Sequence, residues 1–140
     1  MMRQAETRIR VETRGKGLVD VTGRIGAWLG EQRISTGLLT AFIRHTSASL
    51  VIQENADPTV LADLEAFFAK AVPEDRALYR HDDEGPDDMP AHIRSALTCA
   101  SLGIPVSGGR LVLGTWQAIY LFEHRARPHV RELCLHVVGE

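Results

Sequence analysis

Apolar positions along this chain follow two periods, and the switches between them mark out its elements. Near the start, Ile9 and Val11 alternate with Arg8, Arg10 and Glu12, the pattern of a half-buried strand, and Gly15-Lys16-Gly17 supplies a turn after it. Asp20 or Thr22 is placed to cap a helix running to about Arg33, with Val21, Ile25, Trp28 and Leu29 on one side. Gly23 and Gly26 weaken that helix intrinsically, so packing must hold it. From Gly37 to Ile43 the run Leu-Leu-Thr-Ala-Phe-Ile reads as a well-buried strand. It is broken by His45-Thr46-Ser47-Ala48-Ser49 and resumes at Leu50-Val51-Ile52.

Asp57-Pro58 predicts a helix start, because the aspartate accepts orphan amide protons and proline at the first helical position gives up no needed donor. Val60, Leu61, Leu64, Phe67 and Phe68 then recur at spacings of three and four, with Asp63, Glu65 and Lys70 outside, up to about Ala71 and the stop at Val72-Pro73. Asp88-Met89-Pro90 opens a third helix with Ile93, Leu97 and Ala100 on its apolar face and His92 in its first turn. Four β-rich runs close the chain: Ile104-Pro105-Val106, Leu111-Val112-Leu113, Thr115 to Glu123 and Val130 to Val138, with Ser107-Gly108-Gly109-Arg110 as a hairpin turn. Strands before and after three helices predict an α+β fold, with helices on one side of a largely antiparallel β-sheet. No linker, repeat or low-complexity tract divides residues 1–140, so a single domain is expected, and 140 residues bury a core without disulfides or metal staples.

Net charge changes that picture only locally. The whole chain carries −2, which argues against general nucleic-acid binding. Residues 73–92 hold seven carboxylates against Arg76 and Arg80, a local −5 that leaves about +3 for the rest. Some of the positive charge gathers in His124-Arg125-Ala126-Arg127-Pro128-His129-Val130-Arg131, a basic turn suited to an anionic substrate, a neighbouring subunit or solvent. Cys99 and Cys134 lie 35 residues apart among apolar neighbours, without the spacing of a redox pair or thiolate zinc site, and are expected to be packed. Neither a signal-peptide core nor a run of about 18 apolar residues appears, so the expectation is a cytoplasmic protein with no membrane partner.

The densest chemistry lies between His81 and His92, where two imidazoles bracket Asp82, Asp83, Glu84, Asp87 and Asp88 and only Met89 is large and apolar. A solvated acidic loop would account for the charge alone; the histidines add metal-ligand character. His92 beside a helix N-terminus is biased towards the neutral form that a metal needs. Eleven residues separate it from His81, so a joint site requires the intervening loop to fold back. With His45 as third ligand the set matches a three-histidine zinc site with an open position; carboxylates in place of one histidine favour magnesium or manganese. The hydroxyls of Thr46, Ser47 and Ser49 beside His45 suit tautomer fixing, phosphate binding or strand backbone. Strand alternation puts Gln117, Ile119, Leu121 and Glu123 on one face and Trp116, Ala118, Tyr120 and Phe122, the core face, on the other. Gln117 and Glu123 then lie about 20 Å apart, too far for one small ligand within a subunit. His136 reads as structural, and His124 and His129 as turn residues.

Together His45-Thr-Ser-Ala-Ser-Leu50, Glu54-Asn-Ala-Asp-Pro58, Glu84-Gly-Pro-Asp-Asp-Met-Pro-Ala-His92, Ile104-Pro-Val106, Gly114-Thr-Trp-Gln117, Glu123-His-Arg125 and Val138-Gly-Glu140 resemble the YjbQ family across nearly the whole chain. The turn before Arg131 departs from the glycine-containing form of that family. The resemblance implies a compact α+β fold, a homotrimer and a histidine-lined site able to hold a metal or an anion. It makes His45, His81 and His92 the metal candidates, for zinc first and magnesium or manganese next. His45, Gln117 and Glu123 become the catalytic candidates, and Thr46, Ser47, Asn55, Thr115 and Arg131 the substrate-binding ones. Members are often labelled secondary thiamine-phosphate synthases, which implies joining a pyrimidine pyrophosphate to a thiazole phosphate. No glycine-rich phosphate loop or dense cationic cradle accompanies that chemistry here. The alternatives are a non-catalytic metal- or ligand-binding module and a metal-dependent phosphate-ester hydrolase with Glu84, Asp87 or Glu123 as base.

Overall fold

A computed structural model describes residues 1–140. The alternating N-terminal segment forms β1 (Arg3–Thr13), which pairs antiparallel along its whole length with β8 (His129–Gly139). The interrupted apolar run forms β3 (Gly37–Ile43) and β4 (Ala48–Glu54), and the later runs β5 (Ser101–Ser107), β6 (Arg110–Leu111) and β7 (Gln117–Glu123). A short strand, β2 (Gly17–Asp20), follows the first turn; four residues are too few to show periodicity. Every pairing is antiparallel, but the strands divide into two sheets, β1-β8-β3-β5-β6 and β2-β7-β4.

Between the sheets lies the core. Val11, Leu39, Ala41, Ile43, Ile104, Val106, Leu133, Leu135 and Val137 meet Ala48, Leu50, Ile119 and Leu121, and α1 (Thr22–Gln32) adds Ile25 and Leu29. Each fully buried Leu or Ile contributes about 1.5–3 kcal/mol. Asp20 Oδ1 accepts the Thr22 N–H at 2.9 Å, and the helix ends on Arg33 at φ 55. The termini are closed by β3 and β8 approaching at Gly37 and Gly139, while the Glu140 carbonyl accepts from Ser35 and Thr36 N–H.

Two helices behave differently from their periodicity. α2 (Pro58–Ala71) starts as expected, with Asp57 Oδ1 accepting Thr59 N–H at 2.9 Å, yet none of its residues is buried and Phe67 is 64% exposed. It meets the three-stranded sheet through Phe68, edge-on to Phe122 with ring centroids 5.5 Å apart. α3 (Asp88–Leu97) buries Asp88, Pro90, Ala91 and Arg94, whereas Leu97 is exposed. β7 also differs: the Ile119/Leu121 face, not the opposite one, lies in the main core, and Ala118, Tyr120 and Phe122 are buried on the other side. Trp116, expected in the core, projects outward because the strand begins only at Gln117. Cys99 is exposed and Cys134 half-buried rather than packed.

Candidate functional site

The loop after α2 folds back on α3 and delivers His81 to its first turn. Asp88 and His92, four residues apart, share one face of α3, and His92 Nε2 lies 3.1 Å from Asp88 Oδ2. His81 Nε2 reaches the same oxygen at 2.6 Å. The potential ligand atoms of these three side chains all lie within 4.8 Å of one another. Asp88 is 1% exposed. Burial pushes its carboxyl up, but the His81 hydrogen bond and the His92 and Arg125 charges outweigh that and hold it below the usual range. The hydrogen bond to Asp88 raises His81 in return.

The tautomer of His92 is set by the strand break. Its Nδ1 lies 2.9 Å from the Thr46 carbonyl, an acceptor only, so Nδ1 carries the proton. Nε2 faces the Asp88 carboxylate. That contact is favourable with a second proton on the ring or with a cation between the two groups. An imidazole N–H held by a backbone carbonyl, as at Thr46, is also how metal-binding histidines are oriented.

Only part of the acidic segment holds this site. Arg125, buried at the end of β7, places Nη1 2.7 Å from Asp88 Oδ1, Nε 3.0 Å from Asp87 Oδ2 and Nη2 2.8 Å from the Glu84 carbonyl. Asp82 pairs with Arg76, and the Asp82, Asp83 and Glu84 side chains face solvent.

His45 is not in that group. Its Nε2 accepts the Glu132 N–H at 2.8 Å, so the proton of the neutral ring sits on Nδ1, 3.4 Å from Arg131 Nη1. Both ring nitrogens of His45 thus face N–H donors, Glu132 at Nε2 and Arg131 at Nδ1, and the neutral ring can accept from only one of them. His45 and Arg131 line a cavity of about 490 Å³ whose walls also include Arg44, Thr46 and Ser47. Burial, helped by the Arg131 charge, lowers His45 and keeps it neutral. The rest of the Arg131 fork is spent on Glu123 and on Ser47. Glu123, fully buried, takes those two bonds, one from Thr13 Oγ1 and the backbone N–H groups of His124 and Arg125. Burial raises its carboxyl, but the Arg131 and Thr13 hydrogen bonds prevail and hold it low. With both oxygens so engaged, Glu123 anchors Arg131 rather than standing free as a base, and Asp87 is tied to Arg125 in the same way.

Asn55, Thr115 and Gln117 lie at the far end of β4 and β7, away from both clusters. Asn55 Nδ2 donates to the Thr115 and Gln117 carbonyls at 3.1 and 3.3 Å, and Gln117 Oε1 accepts Gly114 N–H at 2.7 Å. These groups hold the turn that carries Trp116. Sequence reasoning missed Asp88 as the meeting point of the histidines, Arg125 as its clamp and the burial of His124. The His92 spacing of four was the available signal for Asp88. His124, expected in a turn, is 1% exposed with Nε2 2.8 Å from Ser49 Oγ; burial and the Arg94 charge push it down to about 3. His129 bonds its Nδ1 to the Arg127 carbonyl, and His136 Nε2 lies 2.9 Å from Gln4 Oε1.

A two-sheet α+β domain with a His-Asp-His cluster beside an arginine- and histidine-lined cavity defines the class. The UPF0047 protein YjbQ-like family model matches residues 7–140. The chain belongs to this family. A UPF0047 protein of Synechocystis sp. is 57% identical over 138 residues, covering 99% of this chain and 94% of that protein. The UPF0047 protein YjbQ of Escherichia coli O157:H7 is 44% identical over 133 residues, 94% of this chain and 96% of its own. Among solved structures, a YbjQ-like protein of unknown function from Sulfolobus solfataricus superposes over 100% of both chains with a TM-score of 0.91 at 26% identity. A conserved hypothetical protein of Thermus thermophilus gives 0.82 at 39% identity over 92% of this chain and 97% of that one.

Proposed function

We propose that the chain is a divalent-metal enzyme acting on a small phosphorylated metabolite, with thiamine-phosphate synthesis as the specific candidate. The observation that carries the metal reading is the convergence of His81 Nε2 and His92 Nε2 on Oδ2 of the buried Asp88. Two imidazoles and a carboxylate fit zinc, with magnesium or manganese as alternatives. His45 leaves the metal set and Asp88 replaces it. When bound, the ion supplies a Lewis acid that offsets charge on a phosphoryl or pyrophosphate oxygen.

The chain's own residues supply the rest. His45 and Arg131 line one cavity, with the Thr46 and Ser47 segment as its wall, and a phosphoryl oxygen bound there would accept from the Arg131 guanidinium. Thr46 also touches His92, so the anion position and the metal position share a residue. Held between them, a phosphorylated substrate is oriented with its leaving oxygen towards the metal side. Hydrolysis is the less favoured chemistry, because Asp87 and Glu123 are locked in ion pairs and only Glu84, among the candidate bases, has an exposed carboxylate.

A homotrimer belongs to the same reading. Leu38, Phe42 and Val130 stand half-exposed on strands of the five-stranded sheet, and Trp116 is 64% exposed. The test is substrate turnover with and without added metal, in wild type, Asp88→Asn and His45→Ala. Loss of condensation in both variants, with metal binding lost in the first alone, supports the proposal; turnover unaffected by either overturns it.

A further inference from the structure

We infer that Arg125 is the positioning residue of this metal site and that it commits Asp88 to bind through Oδ2 alone; the inference rests on the metal reading above. Three of its nitrogens are in use, on Asp87 Oδ2, Asp88 Oδ1 and the Glu84 carbonyl. The clamp is reinforced by backbone: Arg125 N–H donates to Glu123 Oε2 at 3.1 Å, and Ala126 N–H donates to Asp87 Oδ2 at 2.9 Å. The acidic turn is thereby fastened to the end of β7, and Asp88 is fixed from the side opposite the histidines.

The division of Asp88 is what matters for a ligand ion. Oδ2 faces His81 and His92, whereas Oδ1 faces a guanidinium. Pivoting the carboxylate to offer both oxygens would break a charge-assisted bond in a side chain 2% exposed. Asp88 would therefore offer an ion one oxygen beside the two imidazoles, a donor set that fits zinc. A lysine cannot do this, since an ammonium is a point charge and cannot span two carboxylates and a carbonyl as a planar fork does.

The experiment measures Zn²⁺ affinity by chelator competition, and the visible spectrum of the Co²⁺-loaded protein, for wild type, Arg125→Lys and Asp87→Asn. Thermal unfolding of the metal-free proteins runs beside them. The expected result is a folded Arg125→Lys whose Zn²⁺ affinity falls about 10–100-fold, with a changed Co²⁺ spectrum because Asp88 Oδ1 is released. If Arg125→Lys does not fold, Asp87→Asn decides: it leaves the Arg125–Asp88 bond but removes its lateral anchor, and a several-fold weaker affinity is expected. Wild-type affinity and spectrum in the folded variant would overturn the role of Arg125. Absence of metal binding in wild type itself would overturn the metal reading instead.

Discussion

His124 shows at the level of one residue how burial reverses a reading from sequence. It stands in a basic, proline-containing stretch that reads as a turn, and yet the fold removes it from water and pushes its pKa down to about 3. In the unfolded chain it takes a proton near 6.5, so below that pH the unfolded state binds more protons and stability falls as pH drops towards about 3. The loss amounts to a few kcal/mol, at roughly 1.4 kcal/mol per unit. Urea unfolding at pH 7 and about 4.5 should show His124→Gln losing less stability than wild type, since the carboxylates act lower. Asp87, Asp88 and Glu123, depressed in the fold, contribute above the usual carboxylate range and lose that contribution as pH falls through their lower folded values. His81 has the opposite sign, raised by Asp88: its contribution is present below pH 6.5 and lost as pH rises through the folded value. His81 and His92 were legible in the sequence as a pair. Asp88 was hidden among four other carboxylates, because charge along a chain does not tell which oxygen will be buried. A second residue-scale test is His45→Ala, which should abolish inorganic phosphate binding by calorimetry while leaving metal binding intact; loss of both would restore His45 to the metal set.

Elements were legible where a period and a cap agreed, as at Asp57-Pro58, and misjudged where periodicity had to stand for burial. α2 has helical spacing, but its apolar side is only half-covered, so Phe68 at its aromatic contact matters more than Phe67 outside it. β7 alternates plainly, and no alternation could show that both of its sides would be covered. The closure of β3 on β8 was invisible because its device is an absent side chain. A Cβ at Gly139 would collide with the Thr36 carbonyl oxygen and fall 2.6 Å from Gly37 Cα. Both are backbone atoms, and they cannot yield without parting the strands. Gly139→Ala is therefore expected to cost about 1–3 kcal/mol or more in urea unfolding. An unchanged midpoint would mean that the C-terminal pairing contributes little.

At the scale of the molecule, the sequence supported an α+β domain and antiparallel strands but not their division into two sheets, which depends on pairings between residues as distant as Arg3 and Gly139. The homotrimer proposed from the family resemblance gives a further expectation: sedimentation at micromolar concentration should give three times the 15.5 kDa chain, and, if the half-exposed Leu38 and Phe42 form its interface, Leu38→Glu with Phe42→Glu should return it to the monomer. Only a monomer for wild type would remove any site shared between subunits. Within one chain, His81, Asp88 and His92 are expected to hold one divalent ion, and zinc titration of wild type beside Asp88→Asn and His45→Ala, with folding checked by circular dichroism, shows whether they do. One equivalent in wild type and in His45→Ala, with binding lost in a folded Asp88→Asn, is the predicted result; no binding in wild type, or equal binding in all three, would contradict it.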